Sequence, residues 1–378
     1  MNTKKKWKKT CLMLLLILTM LFPAGCGKES LTDVFGLAGI GSGKGDVSCV
    51  SGDRYVHNTL SEKQQLVYDE MLHAIINMQE NVRLSTTDTE DVKRCYHAIC
   101  ADYGEIFWVD SCSYTEILLF GRPCAVNFTI SYAYTPEEVA DYRAQMQPVI
   151  DEYLERLAAC ESDYEKTEVL YRKLICEVAY DMSADNNQNI LSVFLGKKTV
   201  CQGYACAVQY LLQQAGVPCV IITGIAQGQP HAWNMVLLDG DYYYLDATWG
   251  NTDFLGESSI AAGSVNYGYL NITSDELFVN HQPQVDFPLV NCNSREANYY
   301  VKNKLYFDSW DADAIGAKLS RGFEEKEDSV SLKFADGELL VQAKTYFIDD
   351  KHITDYCEKI SRIYYVQDED LHILTIYF

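Results

Sequence analysis

The sequence predicts an α+β protein whose central region is a cysteine-bearing helix followed by antiparallel strands. A helical pattern begins near Cys201 and is stopped by Gly216 and Pro218. Runs with strand composition follow, namely CVIITGIA, HAWNMVLL and YYYLDATW, with turn residues between them. With 378 residues and 48% hydrophobic content, the chain is long enough for two or three domains with packed cores.

The N-terminal segment has the order of a secretory signal peptide. Five lysines precede an apolar run over residues 11–22, which is short for a transmembrane span. The AGC that follows resembles the lipobox of bacterial lipoproteins, in which the cysteine is acylated, although Pro23 stands where leucine is usual. We therefore expect residues 1–25 to be a signal peptide and Cys26 to be the lipidation site. The alternatives are an ordinary cleaved signal and an uncleaved anchor.

The composition argues against a nucleic-acid partner. The net charge is −22, from 31 basic and 53 acidic side chains, and it becomes more negative when the N-terminal lysines are removed. Such a charge repels nucleic acid and anionic lipid headgroups, so membrane attachment would depend on the lipid at Cys26. We expect an exported protein, lipid-anchored on the extracytoplasmic face or else secreted. Its 14 cysteines include no CxxC pair, which leaves free thiols and a few disulfides both open.

Two regions precede the central one. Residues 26–54 are rich in Gly and Ser and are predicted to be a flexible tether, because they lack the GxxxxGK[ST] pattern of a phosphate loop. Residues 55–161 are predicted to be an N-terminal α+β region. It contains a helix with a capping box at Ser61 and Gln64, a second helix, a strand hairpin, and a long helix that starts after Thr135.

The residues suited to chemistry lie in the central region, residues 162–293, which is predicted to be the catalytic domain. If Thr199 caps the helix, Cys201 lies in its first turn, where backbone N–H groups and the helix dipole favour a thiolate. Cys206 points about 140° away on the same helix and is expected to be a packing residue. The remaining residues, 294–378, are predicted to be a small α/β appendage of short strands and two helices.

A histidine and an aspartate downstream can complete a catalytic group. If residues 239–240 form a two-residue type I′ turn, Asp246 lies diagonal to His231 on one face of the hairpin. A thiol at a helix start, a histidine to deprotonate it and an aspartate to hold the histidine tautomer together suit nucleophilic acyl transfer. The backbone N–H of Cys201 is one oxyanion donor, and the sequence does not identify a second.

The segments VCQGYA, HAWN and LDATW, in this order and at these spacings, resemble the transglutaminase-like superfamily, whose fold is papain-like. The resemblance implies that Cys201 is the nucleophile, His231 the general base and acid, and Asp246 the residue that orients the histidine. It also implies a core in which the cysteine starts a helix and the other two residues lie on adjacent strands. The flanking regions look like those of exported bacterial lipoprotein members. The superfamily includes crosslinkers, peptidases, amidases and members that have lost activity.

We therefore expect a surface-tethered enzyme that forms a thioester at Cys201 and passes the acyl group to water or to an amine. Its substrate would be a protein or a cell-wall peptide. No cofactor and no metal are expected, because no feature marks the calcium sites of animal transglutaminases and no ligand pairs have zinc-site spacing. The alternative is a lipoprotein that retains the fold as a non-catalytic binding or scaffold module.

Overall fold

The computed structural model describes residues 54–252 and 264–378. The predicted signal peptide, the predicted lipidation site Cys26 and nearly all of the predicted tether lie outside these residues. No helix of the described ranges combines the length and the hydrophobicity that a membrane span requires. The helices are, in chain order, α1 (Tyr55–Thr59), α2 (Glu62–Ile76), α3 (Thr89–Asp102), α4 (Pro136–Ala158), α5 (Asp163–Glu177), α6 (Cys201–Gln214), α7 (Ser274–Leu277), α8 (Tyr299–Lys302), α9 (Ala312–Glu325), α10 (Gly337–Lys344) and α11 (Ile353–Tyr356).

The strands form separate small sheets. In chain order they are β1 (Asn81–Leu84), β2 (Val109–Leu119), β3 (Arg122–Tyr132), β4 (Ala179–Tyr180), β5 (Lys198–Thr199), β6 (Cys219–Ala226), β7 (Gln229–Leu238), β8 (Asp241–Leu245), β9 (His281–Pro283), β10 (Tyr306–Phe307), β11 (Ser329–Phe334), β12 (Tyr364–Asp368) and β13 (Ile373–Tyr377). The described chain divides into two compact units, the first made of residues 60–96 and 108–139, the second of 54–59, 97–107, 140–252 and 264–378. The domain boundaries drawn from the sequence stay a prediction.

The first unit contains a three-stranded antiparallel sheet with strand order β1-β3-β2. Helix α2 begins with the predicted capping box, in which the Ser61 side chain accepts from the backbone N–H of Gln64 and the Gln64 side chain reaches back to Ser61. The β2–β3 hairpin turns at Phe120 and Gly121, both of which have positive φ. The predicted helix and hairpin are therefore present in this unit.

The second unit contains the sheet that carries the candidate site. Its antiparallel strands lie in the order β8-β7-β6-β9. The β7–β8 turn is type I′, with φ of 53° at Asp239 and 95° at Gly240, and Leu238 pairs with Asp241. The register predicted for this hairpin is therefore correct. Strand β9, at the other edge of the sheet, was not predicted.

Helix α6 lies against this sheet and is mostly buried. It begins at Cys201 with Val200 as its N-cap and has no side-chain cap. The expectation that Thr199 caps the helix is wrong, because the Thr199 hydroxyl donates instead to the backbone carbonyl of Asn187 at 3.1 Å. Thr199 belongs to β5, where it pairs with Tyr180 of β4, and its side chain is fully buried. The predicted place of Cys201, in the first turn, is correct.

The C-terminal residues 294–378 form their own four-stranded sheet with the order β10-β11-β13-β12. Its apolar face packs around Leu332 and Leu374, which are fully buried. Four predicted strand segments, KLYF, SVSLKF, RIYYV and LHILTIYF, overlap these strands, and β12 extends two residues beyond RIYYV. The predicted strand at YYV is wrong, because these residues form α8, whose start is capped by the Asn298 side chain.

Candidate active site

Cys201 and Cys206 differ in their surroundings although they share helix α6. Cys201 is the first helical residue and is a partly exposed free thiol, so it lies at the positive end of the helix dipole. Cys206 is buried, and burial raises the pKa of its thiol to about 12. Its sulfur accepts a hydrogen bond from Gln202 Nε2 at 3.3 Å. Cys201 is therefore the thiol that is placed to react.

The β7–β8 hairpin brings His231 and Asp246 together. His231 Nε2 lies 2.6 Å from Asp246 Oδ2, and the two side chains are 5% and 1% exposed. The other carboxylate oxygen, Oδ1, accepts the backbone N–H groups of Thr248 at 2.8 Å and Trp249 at 3.1 Å. The carboxylate is thus held on both oxygens, and the diagonal contact expected from the hairpin register is made.

The imidazole of His231 also faces Cys201. Burial disfavours its charged form, but the Asp246 carboxylate and hydrogen bonds to Asp246 and Cys201 outweigh burial and raise the pKa of His231. Because Nε2 is occupied by Asp246, Nδ1 is the nitrogen left for the thiol. Burial works against ionisation of Asp246 as well, yet the two imidazoles that donate to it, those of His231 and His281, hold its pKa well below the usual range.

His281 is a member of this cluster that the sequence did not single out. It opens β9, where it pairs with Ala226 of β6. Its Nε2 lies 3.1 Å from the same Asp246 Oδ2, and its side chain is fully buried. The segment HQP has no catalytic motif, and only the pairing of a three-residue strand brings it to the site. No signal in the sequence would have identified it.

Aromatic rings enclose the two histidines. The Trp233 ring stacks on His231 at 5.8 Å between centroids, and the Trp249 ring lies 4.8 Å from that of His281. Both tryptophans come from the segments that carry the site residues, HAWN and LDATW. Low-polarity surroundings strengthen the hydrogen bonds of the buried carboxylate, so the cluster is held firmly.

The same three residues are also a possible metal-ligand group among residues 54–252 and 264–378. One ligand atom from each of His231, Asp246 and His281 can be chosen so that all lie within 4.8 Å of one another. The 2.6 Å between His231 Nε2 and Asp246 Oδ2 is a hydrogen-bond distance. Two ligands of one tetrahedral zinc ion stand about 3.3 Å apart, since each is about 2.0–2.1 Å from the metal. The spacing of these atoms therefore fits a hydrogen-bonded group, and the His231 and Asp246 side chains would have to move apart to bind a metal ion.

Tyr180 is a further residue near the thiol that sequence reasoning missed. Strand β4 pairs with β5, which leads into Cys201, and Tyr180 lies opposite Thr199. Burial raises the pKa of Tyr180 to about 12, and the charges of Cys201 and Asp246 add to this effect. Its hydroxyl therefore keeps its proton near neutral pH, and it lies close enough to both groups for their charges to act on it. A two-residue strand leaves no pattern by which this position could have been found.

Comparisons with known proteins find similarity over the region that contains Cys201, His231 and Asp246. Residues 151–247 match the family model described as the transglutaminase-like superfamily. Kyphoscoliosis peptidase of Homo sapiens is 26% identical over 173 residues, covering 40% of this chain and 26% of the human protein. The Mus musculus protein of the same name is 28% identical over 112 residues, covering 25% of this chain and 17% of the mouse protein. The chain thus matches about a quarter or less of the length of these curated relatives.

Solved structures include similar chains as well. A crystal structure of a TGase is 16% identical, with a TM-score of 0.27, and the match covers 37% of this chain and 44% of that chain. The predicted resemblance and the predicted transglutaminase-like α+β fold are confirmed by the family match. The match supports a cysteine-dependent catalytic fold, and the roles predicted for Cys201, His231 and Asp246 stay predictions.

Proposed function

We propose that this chain, whose central region is transglutaminase-like, catalyses acyl transfer from an amide or peptide through a thioester at Cys201. The observation that carries the proposal is the buried pair of His231 and Asp246, with 2.6 Å between Nε2 and Oδ2, beside a cysteine that opens a helix. A structural histidine would need no ionised partner and no thiol on its second nitrogen. The arrangement supports a nucleophile, a base and an orienting carboxylate.

The chemistry follows from the position of each group. Cys201 Sγ attacks the substrate carbonyl carbon, and the thiol proton moves to Nδ1 of His231. Asp246 holds the imidazole orientation and stabilises the imidazolium. Collapse of the tetrahedral intermediate breaks the C–N bond, and the leaving amine takes the proton from His231. Water or a second amine then attacks the thioester, with His231 again as the base.

The negative charge on the substrate oxygen requires donors at the start of α6. The backbone N–H of Cys201 is one donor, because the first N–H groups of a helix have no partner within it. We propose the Tyr180 hydroxyl as the second, since β4 places it beside the residues that lead into Cys201. Its raised pKa of about 12 keeps it a donor.

The substrate and the location are part of the same proposal. We propose a protein or cell-wall peptide as the acyl donor, and an exported chain that is anchored through lipid on Cys26 or secreted without it. The support is the signal-like N-terminal segment with its five lysines, apolar run and lipobox-like AGC. Metabolic labelling with a palmitate analogue tests the anchor: label on the wild type and none on Cys26→Ala is expected.

Release of ammonia and incorporation of a labelled amine, measured on surface proteins and cell-wall peptides, test the activity. Cys201→Ala should abolish both signals, and Cys206→Ala, on the same helix, should leave them within about twofold. Amine incorporation would indicate crosslinking, and cleavage without it would indicate a peptidase. If alkylation by iodoacetamide at neutral pH is as fast in Cys201→Ala as in the wild type, the nucleophile is misassigned and a non-catalytic module becomes the better explanation.

A further inference from the structure

The Asp246 carboxylate has donors at every position where it can accept. Oδ1 accepts two backbone N–H groups, from Thr248 and Trp249. Oδ2 faces two imidazole nitrogens, Nε2 of His231 at 2.6 Å and Nε2 of His281 at 3.1 Å. An ionised carboxylate only accepts hydrogen bonds, so each of these two nitrogens carries a proton. Acyl transfer requires only His231 at this carboxylate, which leaves the second imidazole to be explained.

The other nitrogen of His281, Nδ1, faces the side chain of Asn280. Asp370, in the C-terminal residues 294–378, sets the orientation of that side chain. His281 Nδ1 lies 2.5 Å from Asn280 Oδ1. The Asn280 amide nitrogen donates to Asp370 Oδ2 at 3.2 Å and to the Tyr269 hydroxyl at 3.1 Å. Because the Asp370 carboxylate accepts only, the amide must turn its NH₂ toward Asp370 and its oxygen toward His281. His281 Nδ1 therefore also faces an acceptor.

We propose that His281 is a positioning residue that carries a proton on both ring nitrogens, and that Asp370, acting through Asn280, maintains this state. The cationic ring shares the Asp246 carboxylate with His231. It fixes the carboxylate in place and at the same time weakens its electrostatic hold on the His231 proton. His231 can then release that proton to the leaving amine more readily than it would beside an unshared carboxylate. This inference rests on the proposed function, because it concerns the proton that His231 moves.

Other titratable groups of the described residues also act on the cluster around the two imidazoles. Besides the Cys201 thiol, they include Tyr171, Tyr180 and Tyr269. Burial raises the pKa of each tyrosine above its ordinary value, so the three stay neutral near neutral pH. Asp368 and Asp370 act on the Tyr269 ring from the appendage. The ring of His281 is 5.4 Å from that of His231, close enough for its charge to act there.

The protonation of the ring can be measured without activity. In ¹⁵N-labelled full-length protein, both nitrogens of His281 should give imidazolium resonances at neutral pH, identified by their loss in His281→Gln. In Asp370→Asn, where Asn280 can turn, one nitrogen should lose its proton. Glu369→Gln removes the same charge one residue away and should leave the resonances unchanged. A singly protonated His281 in the wild type, or an unchanged spectrum in Asp370→Asn, would overturn the proposal.

The consequence for His231 appears in the pH profile of Cys201 alkylation. Removing a positive charge raises the pKa of its neighbours, so in His281→Gln the basic limb of the profile should move up by about one pH unit. Asp370→Asn, at an exposed residue that should not impair folding, should move it in the same direction by less. A role limited to holding the carboxylate predicts a downward shift, which would reject the proposal. If Cys201 is unreactive at every pH, the proposed function fails while the resonances still decide the state of His281.

Discussion

At the scale of single residues, the hydrogen bonds around Asp246 determine how a substituted side chain can orient there. The backbone N–H groups of Thr248 and Trp249 require an acceptor at the Oδ1 position. In Asp246→Asn the amide oxygen would therefore take that position and the NH₂ group would face His231 Nε2. His231 would have to accept there and carry its proton on Nδ1, the nitrogen that must receive the thiol proton.

We therefore expect Asp246→Asn to lower the rate of Cys201 acylation by about 10²- to 10⁴-fold while the protein still folds. Single-turnover kinetics with an activated ester would measure the rate, and circular dichroism would check the fold. Asp241→Asn, an exposed position on the same hairpin, is the control and should react at the wild-type rate. Retention of more than a tenth of the wild-type rate in Asp246→Asn would remove Asp246 from the mechanism.

Tyr180 offers a second test at this scale. If its hydroxyl donates to the developing oxyanion, Tyr180→Phe should lower kcat by about 10- to 100-fold with little change in KM, since the donor acts in the transition state. Alkylation of Cys201 by iodoacetamide creates no oxyanion and should stay near the wild-type rate. Tyr210→Phe on helix α6 is the matched control. Equal losses in acylation and alkylation would indicate a structural role for Tyr180 instead.

The residues of the site differ in how far the sequence could predict them. Cys201, His231 and Asp246 lie on α6 and on one hairpin, where the helix start and the DG turn determine their directions locally. His281 and Tyr180 reach the site through β9 and β4, strands of three and two residues. Such strands are held by their partners rather than by their own composition, so their pairing cannot be predicted from the sequence.

At the scale of elements, the first turn of α6 packs closely against Thr199 and Asn187, which precede it in the chain. A Cβ placed on Gly203 would lie 1.9 Å from Thr199 Oγ1 and 3.1 Å from the carbonyl oxygen of Asn187. The Thr199 hydroxyl already bonds to Asn187 and to Ser192, so it has no room to move. Packing thus requires the glycine of VCQGYA, two residues after Cys201.

We expect Gly203→Ala to lower the free energy of unfolding by about 1–3 kcal/mol and to slow alkylation of Cys201, because overpacking there displaces the helix start. Gly196→Ala is the control, since no atom lies within 4 Å of its added Cβ. Urea unfolding and iodoacetamide kinetics on both variants would measure the two effects. A Gly203→Ala protein with wild-type stability and reactivity would contradict the packing argument.

An element could be predicted from the sequence where a few neighbouring residues determine its backbone conformation, and not where contacts with distant residues do. The Asp239 and Gly240 pair adopts the positive φ values of a type I′ turn, and so the register of the whole hairpin followed from two residues. The YYV segment favours a strand by composition, yet Asn298 caps it as a helix and Tyr300 is buried. A cap and tertiary burial there override the strand propensity.

For the second unit as a whole, one buried ion pair joins the C-terminal sheet to the part of the chain that carries the site. Lys333 Nζ of β11 lies 3.0 Å from Glu276 Oε1 of α7, and the side chains are 3% and 12% exposed. Burial works against ionisation of Glu276, but Lys333 and the hydrogen bond from the Thr273 backbone lower its pKa to about 2. Glu276 also caps its own helix through Thr273, so it is held in place from both sides.

The sign of the resulting pH dependence follows from the depressed pKa. A carboxylate with a lower pKa in the folded than in the unfolded state stabilises the fold above the unfolded value of about 4.3. That stability is lost as the pH falls from about 5 toward 2. In Lys333→Met the pKa of Glu276 should rise, so the variant should be less stable at neutral pH and lose less stability on acidification.

Urea unfolding of the wild type and Lys333→Met between pH 7 and pH 3 would measure this difference. At neutral pH we expect a loss of about 3–5 kcal/mol in Lys333→Met, because Glu276 is left charged and buried without its partner. The double variant Lys333→Met, Glu276→Gln should recover part of that loss, since it removes the uncompensated charge. Lys326→Met, an exposed lysine of the same C-terminal region, is the control for lost charge alone. Parallel stability curves for Lys333→Met and the wild type would show that the ion pair does not couple the C-terminal sheet to the rest of the unit.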